Sequence, residues 1–289
     1  MQRILQMTVT SLLAGAIVLI VPSAGGAALP PNNSVFFWQP SIGAVTGTII
    51  DGTYVQVQNA FDIGTGWTGA ALSRDTLVLL NPTAQELGLA TLTAGTYTAN
   101  PDSPVGFKGA HFTKLTASCD SLLLYSPSSG SALAVHLTAG ALDLKHAHSY
   151  KLGQGFTSVN ASCNTLTLLN NKGTGIVGTL KNGTFVKTGG LKTGIANPLV
   201  AHTATSFVRF STSGHQIEWG TSKNGIEKVL FGPLPEVGGL IKLAGTSTSM
   251  LFYETPPSPS AAARLVDGLA SDSQDVPLSP GWQIIVGGR

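Results

Sequence analysis

His146 and His148, in the segment KHAHSY, alternate, so on an extended strand both imidazoles would leave the same face. Two imidazoles at that spacing could begin a zinc or copper site. No third ligand stands near them, and the segment falls in a connection between two repeats, where a solvated loop is expected. No metal ligand is therefore assigned. His111, His136, His202 and His215 are scattered and form no motif. Of the 14 acidic residues, Asp51 and Asp267 precede turn glycines, and Asp75 and Asp120 hold a turn position that Asn164 occupies in another copy of the repeat. Asp and Asn at such places bond their own backbone, so a structural role is expected of them. No carboxylate pair stands out for glycoside hydrolysis, and the S-x-D-x-G-x-x-W box of sialidase propellers is absent. Neither a G-x-S-x-G elbow, nor S-x-x-K, nor H-E-x-x-H, nor a phosphate-binding loop occurs. No catalytic residue and no cofactor is assigned, and the reading leans away from an enzyme.

Charged residues make up only 10% of the 289, apolar residues 43%, and glycine contributes 35. Disorder is excluded by the apolar share, and a palette of Ser, Thr, Asn and Gly suits short strands joined by many turns. The net charge is +2, with no long basic run, so nucleic acid is not expected as a partner. Residues 1–28 read as a signal peptide, with Arg3 as the positive region, MTVTSLLAGAIVLIV as the apolar core, and small residues for cleavage near Ala27 or Ala28. Pro22 and the glycines interrupt the apolar run before it reaches the roughly 20 residues of a membrane span. A secreted protein with no membrane span after cleavage is expected.

The elements that must position any site come from an internal repeat. Turn glycines at Gly52, Gly95, Gly140, Gly183, Gly225 and Gly268 are spaced by 43, 45, 43, 42 and 43 residues. Apolar runs SVFFW, TLVLL, SLLLY, TLTLL, SFVRF and SMLFY keep the same period, and GWTGAAL, HFTKLTA, GFTSVNA and PGWQIIV mark repeat openings. Each copy reads as four strands, a to d; in the clearest they are WTGAAL, DTLVLLN, ELGLATL and GTYTAN. The b runs are continuously apolar, as strands covered on both faces are. The first copy lacks strand a, and PGWQIIV is a strand a with nothing after it. Residues 282–286 should therefore pair with residues 35–57. The expectation is an all-β, six-bladed β-propeller over residues 32–289, with four-stranded blades of about 43 residues and a first blade closed by the C-terminal strand. Two tandem β-trefoils are the competing architecture, but they do not need a repeat split between the termini.

The motifs GWTGAALSRDTLVLLN and FTKLTASCDSLLLYSPSSG resemble secreted lectin-like propellers of the tachylectin and tectonin types, and the GWT…LLLY…G repeats of exported bacterial proteins. The resemblance covers residues 32–289 and implies a propeller with sugar sites in some blades. It carries over no sugar-contacting residue, because the shared motifs are scaffold. NPLVAHTATSFVRF and GGLIKLAGTSTSMLFY depart from it by losing the aromatic opener.

Trp67 and Trp282 hold the repeated opener position and Trp38 ends a strand b, so core anchoring is expected of all three. Trp219, in HQIEWGTSKNG, stands where other copies carry small or aliphatic residues, which makes it the candidate ligand platform. Cys119 and Cys163 each follow a phenylalanine, Phe112 and Phe156, by seven residues, and so occupy one position in adjacent blades. Only near the axis can such residues come within the roughly 7 Å that a disulfide needs, and that pairing is expected. The leading functional expectation is a non-catalytic binding module for glycans, followed by a protein-binding or cell-envelope scaffold that would use the Pro-rich loop Glu254–Ala263. A propeller hydrolase or lyase comes third.

Overall fold

The computed structural model describes residues 32–288 apart from 108–110, 212, 236–239 and 255–258. The leader expected at residues 1–28 lies outside them. The described chain folds as a six-bladed β-propeller of antiparallel sheets, with each blade running from an inner strand a to an outer strand d. Blade 1 joins Ile284–Gly287 to Ser34–Gln39, Gly43–Ile50 and Thr53–Phe61. Blade 2 is Gly69–Leu72, Thr76–Asn81, Glu86–Thr93 and Thr96–Ala99, continued by Val105–Gly106; blade 3 is Lys114–Ala117, Ser121–Tyr125, Ser131–Thr138 and a split outer strand, Ala141–Leu142 and His148–Lys151. Blade 4 is Ser158–Ala161, Thr165–Leu169, Thr174–Lys181 and Thr184–Lys192; blade 5 is Pro198–His202, Ser206–Ser211, Gln216–Lys223 and Ile226–Pro235. Blade 6 is Leu240–Gly245, Ser249–Glu254, Ser260–Val266 and Leu269–Val276. The expected closure is present: Val35 pairs with Gly287 and Trp38 with Ile284.

All six c–d hairpins close through a two-residue turn in which both residues have positive φ, 46–52° at the first and 70–83° at the turn glycine. That is a type I′ turn, whose twist matches the strands and whose second position favours glycine. Each turn glycine then does a second job. Its amide donates to the hydroxyl of the Ser or Thr that starts strand b of the neighbouring blade. Gly95 donates to Ser34, Gly140 to Thr76, Gly183 to Ser121, Gly225 to Thr165, Gly268 to Ser206 and Gly52 to Ser249, at 2.8–3.2 Å. All six hydroxyl residues are fully buried. The Asx positions behave as turn chemistry requires: Asp120 accepts from the Asn182 amide at 3.1 Å, and Asn164 from the Asn224 amide at 3.0 Å.

Between blades, the side chains of one sheet meet those of the next. The aromatic at the end of strand b meets the opener of the following blade: Tyr125 packs on Phe156 with ring centroids 5.9 Å apart, and the Tyr125 and Tyr253 hydroxyls accept from the amides of Phe156 and Trp282, both at 3.3 Å; within blade 1, Phe37 also packs on Trp282 at 5.5 Å. Trp38 and Trp282 are buried, and Trp67 is half-buried with Nε1 donating to the Ile63 carbonyl at 2.9 Å.

Two local expectations are corrected. KHAHSY is mostly exposed, as expected, but it is part of blade 3 and not a connection between blades: Leu144–His146 is a single 3-10 turn and His148 begins the second half of the blade-3 outer strand, so the two imidazoles do not share one strand. Asp143 causes the break, since it caps the turn and its carboxylate meets His146 Nδ1 at 2.7 Å, which holds that carboxyl below its usual range. Glu254–Ala263 is not one loop either. Glu254 ends strand b of blade 6 and Ser260–Ala263 begin strand c, because small side chains there fit against the neighbouring strand, Met250 pairing with Ala263.

Candidate functional site

The six inner strands adjoin one another around the axis and enclose a cavity of about 100 Å³. Its lining is mostly Ala, Val, Leu, Ile and Gly, with Thr116 and Asn160 as its polar side chains. The crowding is severe: a Cβ on Gly245 would lie 1.8 Å from the His202 carbonyl oxygen, and one on Gly287 would lie 2.4 Å from that of Gly245. At the end of these strands Cys119 and Cys163 form the expected disulfide between the a–b turns of blades 3 and 4, with Cα atoms 4.4 Å apart. Backbone bonds tie further a–b turns together, Arg74 to Cys119 and Cys119 to Cys163 on one side and Ala204 to Ser247 and Ser247 to Asn32 on the other.

Apolar clusters fill five of the blade interfaces, and the fifth of the chain's blades meets the fourth differently. Arg209 is fully buried there, its Nη1 2.6 Å from Glu218 Oε1 and its Nη2 hydrogen-bonded to Glu227. The other Glu227 oxygen meets His202 Nε2 at 2.7 Å and accepts from the Thr167 hydroxyl of blade 4 at 2.7 Å. Register explains how unusual this set is. Arg209 occupies the place of Phe37, Leu79, Leu124, Leu168 and Phe252 in the other blades, and Glu227 that of Tyr54, Tyr97, Leu142, Phe185 and Ala270. Burial pulls the Arg209 guanidinium below its usual range, and the hydrogen bond and charge of Glu218 push it back up. The guanidinium also lies 4.1 Å from the Phe207 ring centroid. Sequence reasoning passed over this cluster, although the signal was present: SFVRF is the copy of the b run that carries a charge.

Trp219 lies on strand c of blade 5, paired with Val208 and half-buried against the cluster of Ala201, Val208, Met250 and Leu265. Its ring stacks on Phe231 of the outer strand, with centroids 5.2 Å apart and planes at 26°. Phe231 is the member of the pair that faces solvent, at 39% exposure. Trp219 Nε1 is buried and has no hydrogen-bond partner among the described residues.

An open groove of about 430 Å³ lies on blade 4, at the end where the b–c turn meets the tail of the outer strand. Phe156 and Leu191 give it apolar walls, and Asn170, Thr174 and Lys192 its polar groups. Two glycines line it. Gly175 stands in register with Ala44, Leu87, Ala132, Ile217 and Ser260 of the other blades, and a Cβ there would lie 1.7 Å from the Leu168 carbonyl oxygen, so the strands approach too closely for any side chain; a Cβ on Gly190 would meet only the Gly175 oxygen, at 3.9 Å, and it is there that the groove is open. Asn170 Oδ1 accepts from the amides of Lys172 and Thr174, and its Nδ2 donates to the Thr174 hydroxyl at 2.8 Å. One amide hydrogen of Asn170 and the hydroxyl hydrogen of Thr174 keep no partner among the described residues. The groove is open to solvent along its length, with an apolar wall beside a few polar groups. Just beyond Lys192, a Cβ on Gly194 would lie 3.7 Å from Pro233, two residues after Phe231, so the groove and the outer strand of blade 5 adjoin.

The architecture defines the class: the chain is a six-bladed β-propeller. No protein-family model matches it, and no curated protein matches its sequence. Solved propeller structures do match in shape. A candidate 6-phosphogluconolactonase from Bacteroides fragilis superposes with a TM-score of 0.52 at 12% identity, covering 92% of this chain and 85% of that one. A chain of the nidogen/laminin complex gives 0.52 at 9% identity, covering 88% and 97%, and human WBSCR16 gives 0.51 at 12%, covering 84% and 78%. At such identities the likeness is one of fold. It does not extend to the tachylectin or tectonin repeat type.

Proposed function

We propose that this chain is a secreted, non-catalytic propeller that binds carbohydrate. The observation that carries the reading is the blade-4 groove, where Gly190 leaves open space and amide, hydroxyl and ammonium donors stand beside an apolar wall. Pyranose rings ask for that combination: C–H faces for the wall and hydroxyls for the donors. The disulfide suits an oxidising compartment, and no helix among the described residues is long and apolar enough to cross a membrane. Trp219 enters this proposal through Phe231, the exposed face of their stacked pair, as a second stacking surface. A glycan array followed by titration calorimetry tests it. Phe231→Ala and Trp219→Ala should each weaken glycan binding by about 1–3 kcal/mol per folded molecule, as truncated aromatic anchors do. Retention of no glycan across a broad array would end the carbohydrate reading.

A second reading, a protein-binding scaffold of the cell envelope, is favoured by the outer strand of blade 5. It exposes Ile226, Val229, Leu230 and Phe231 along one sheet edge, and an exposed apolar edge can accept a strand from a partner. Capture of an envelope protein that Val229→Lys abolishes, together with an empty glycan array, would select this reading over the first.

A further inference from the structure

We infer that the blade-4 groove takes an acidic sugar unit, one bearing a single carboxylate, with Lys192 as the counter-charge. This inference rests on the carbohydrate reading and names the class of glycan. Its basis is a charge asymmetry that net charge hides. From Leu144 to Ile217 the chain contains no Asp or Glu, yet it carries six lysines and Arg209, against a net charge of +2 for the whole protein. The rest of the chain is therefore net negative, and blade 4 lies wholly within the basic stretch. Arg209 is neutralised by its buried partners, so the uncompensated charge is that of the lysines.

Topology then sorts these lysines by position. Lys192 ends the outer strand of blade 4, pairs with Thr174 and lines the groove. Lys172 sits in the turn between the lining residues Asn170 and Thr174. Lys151 ends the outer strand of blade 3 at the same end of the ring, its Nζ donating to Ser131 Oγ at 2.7 Å. Lys181 is at the opposite end of blade 4, beside the c–d turn. Of the carboxylates that border this stretch, Glu218 and Glu227 are buried in the blade 4–5 interface, and Asp143, on the outer edge of blade 3, is exposed but engaged by His146 Nδ1 at 2.7 Å. A neutral sugar would leave Lys192 without a partner in the groove. A uronate places its ring on Phe156 and Leu191, its hydroxyls on the free hydrogens of Asn170 and Thr174, and its carboxylate on the ammonium. Lysine acts as a point charge of this kind, whereas multiply charged sulfated sugars call for several converging cations or the fork of arginine.

The test compares polygalacturonate with its carboxyl-reduced, neutral counterpart by titration calorimetry at 150 mM salt, using the full mature chain. The wild type should bind the acidic polymer at least tenfold more tightly. Lys192→Gln should remove that preference, Lys192→Arg should retain most of it, and Lys181→Gln should leave it unchanged. Gly190→Leu provides a second handle: a Cβ there meets only the Gly175 oxygen, at 3.9 Å, so the side chain fills the groove with the fold intact, as thermal melting would verify. That variant should lose binding to the acidic polymer. Equal affinity for the acidic and reduced polymers overturns the inference and leaves the carbohydrate reading standing, whereas absence of binding to either, with an empty glycan array, overturns both. Equal loss in Lys192→Gln and Lys181→Gln, or tighter binding of polyphosphate than of polygalacturonate, would mean diffuse attraction to polyanions and overturn it as well.

Discussion

Replacing Arg209 with leucine, the residue in register at blades 2, 3 and 4, should destabilise the protein by about 3–5 kcal/mol, although it makes the b run more regular. The change removes one cation from a site where Glu218 and Glu227 are almost fully enclosed, with side-chain exposures of 3% and 1%, and leaves two carboxylates buried without it. Because a domain of ordinary stability holds roughly 5–15 kcal/mol, the loss is large enough to shift a urea midpoint by more than a molar. The same argument predicts the opposite result when the whole set is exchanged. Thr167→Leu, His202→Ala, Arg209→Leu, Glu218→Ile and Glu227→Phe together rebuild the blade 4–5 interface with the residues that form the blade 3–4 interface, namely Leu123, Ala161, Leu168, Ile176 and Phe185. That variant should be as stable as the wild type or more so, because desolvating ions costs more than burying well-packed apolar groups. Equilibrium urea unfolding of the three proteins, followed by tryptophan fluorescence, reads both effects. An unchanged midpoint in Arg209→Leu, or a quintuple variant no better than the single one, would show that the cluster does not carry its charges in the interior as argued.

Deletion of Gly281–Arg289 removes the inner strand of blade 1 and uncovers the edge of Ser34–Gln39, so the truncated chain should aggregate or fail to fold; a soluble product with an unchanged melting temperature would contradict ring closure. Alkylation of the mature protein without reductant should label no cysteine, and Cys119→Ser with Cys163→Ser should cost up to about 4 kcal/mol by the chain-entropy argument for a loop of 44 residues, measured as a shift in urea midpoint. Ser121→Ala leaves the Gly183 amide without its acceptor and should cost about 1–3 kcal/mol, with Ser121→Thr restoring most of it, since Thr76 and Thr165 serve the same latch elsewhere. Burial raises the Tyr54 phenol from 10.0 to about 12, so its neutral form is favoured in the fold. The unfolded chain ionises first, and stability should therefore fall as pH rises from 10 towards 12. Tyr54→Phe should flatten that part of the alkaline denaturation curve.

The sequence alone determined the repeat, the closed ring and the disulfide, and for each the reason is local or periodic. A type I′ hairpin needs glycine at its second turn position, a strand covered on both faces reads as continuously apolar, and a strand a stranded at the C-terminus has one place to go. Matched register put Cys119 and Cys163 at equivalent places, and proximity to the axis did the rest. Tertiary structure alone decided what lies between blades. The Ser or Thr before each apolar run looks like ordinary turn chemistry until the neighbouring blade brings a glycine amide from about sixty residues away, as Gly183 reaches Ser121. The charge in SFVRF is visible, but its partners are spread over strands a, c and d, so only packing shows that Glu227 joins Arg209, His202 and Thr167. The end of KHAHSY and the two ends of Glu254–Ala263 fall in strands against local composition because strand pairing settles where a sheet stops. Trp219 stood out by type, yet which face of the Trp219–Phe231 pair meets solvent depends on the outer strand. The groove on blade 4 is the clearest case. Gly175 and Gly190 read as two more glycines in a glycine-rich chain, and they line a groove only where sheet register sets them beside Phe156, Asn170 and Lys192.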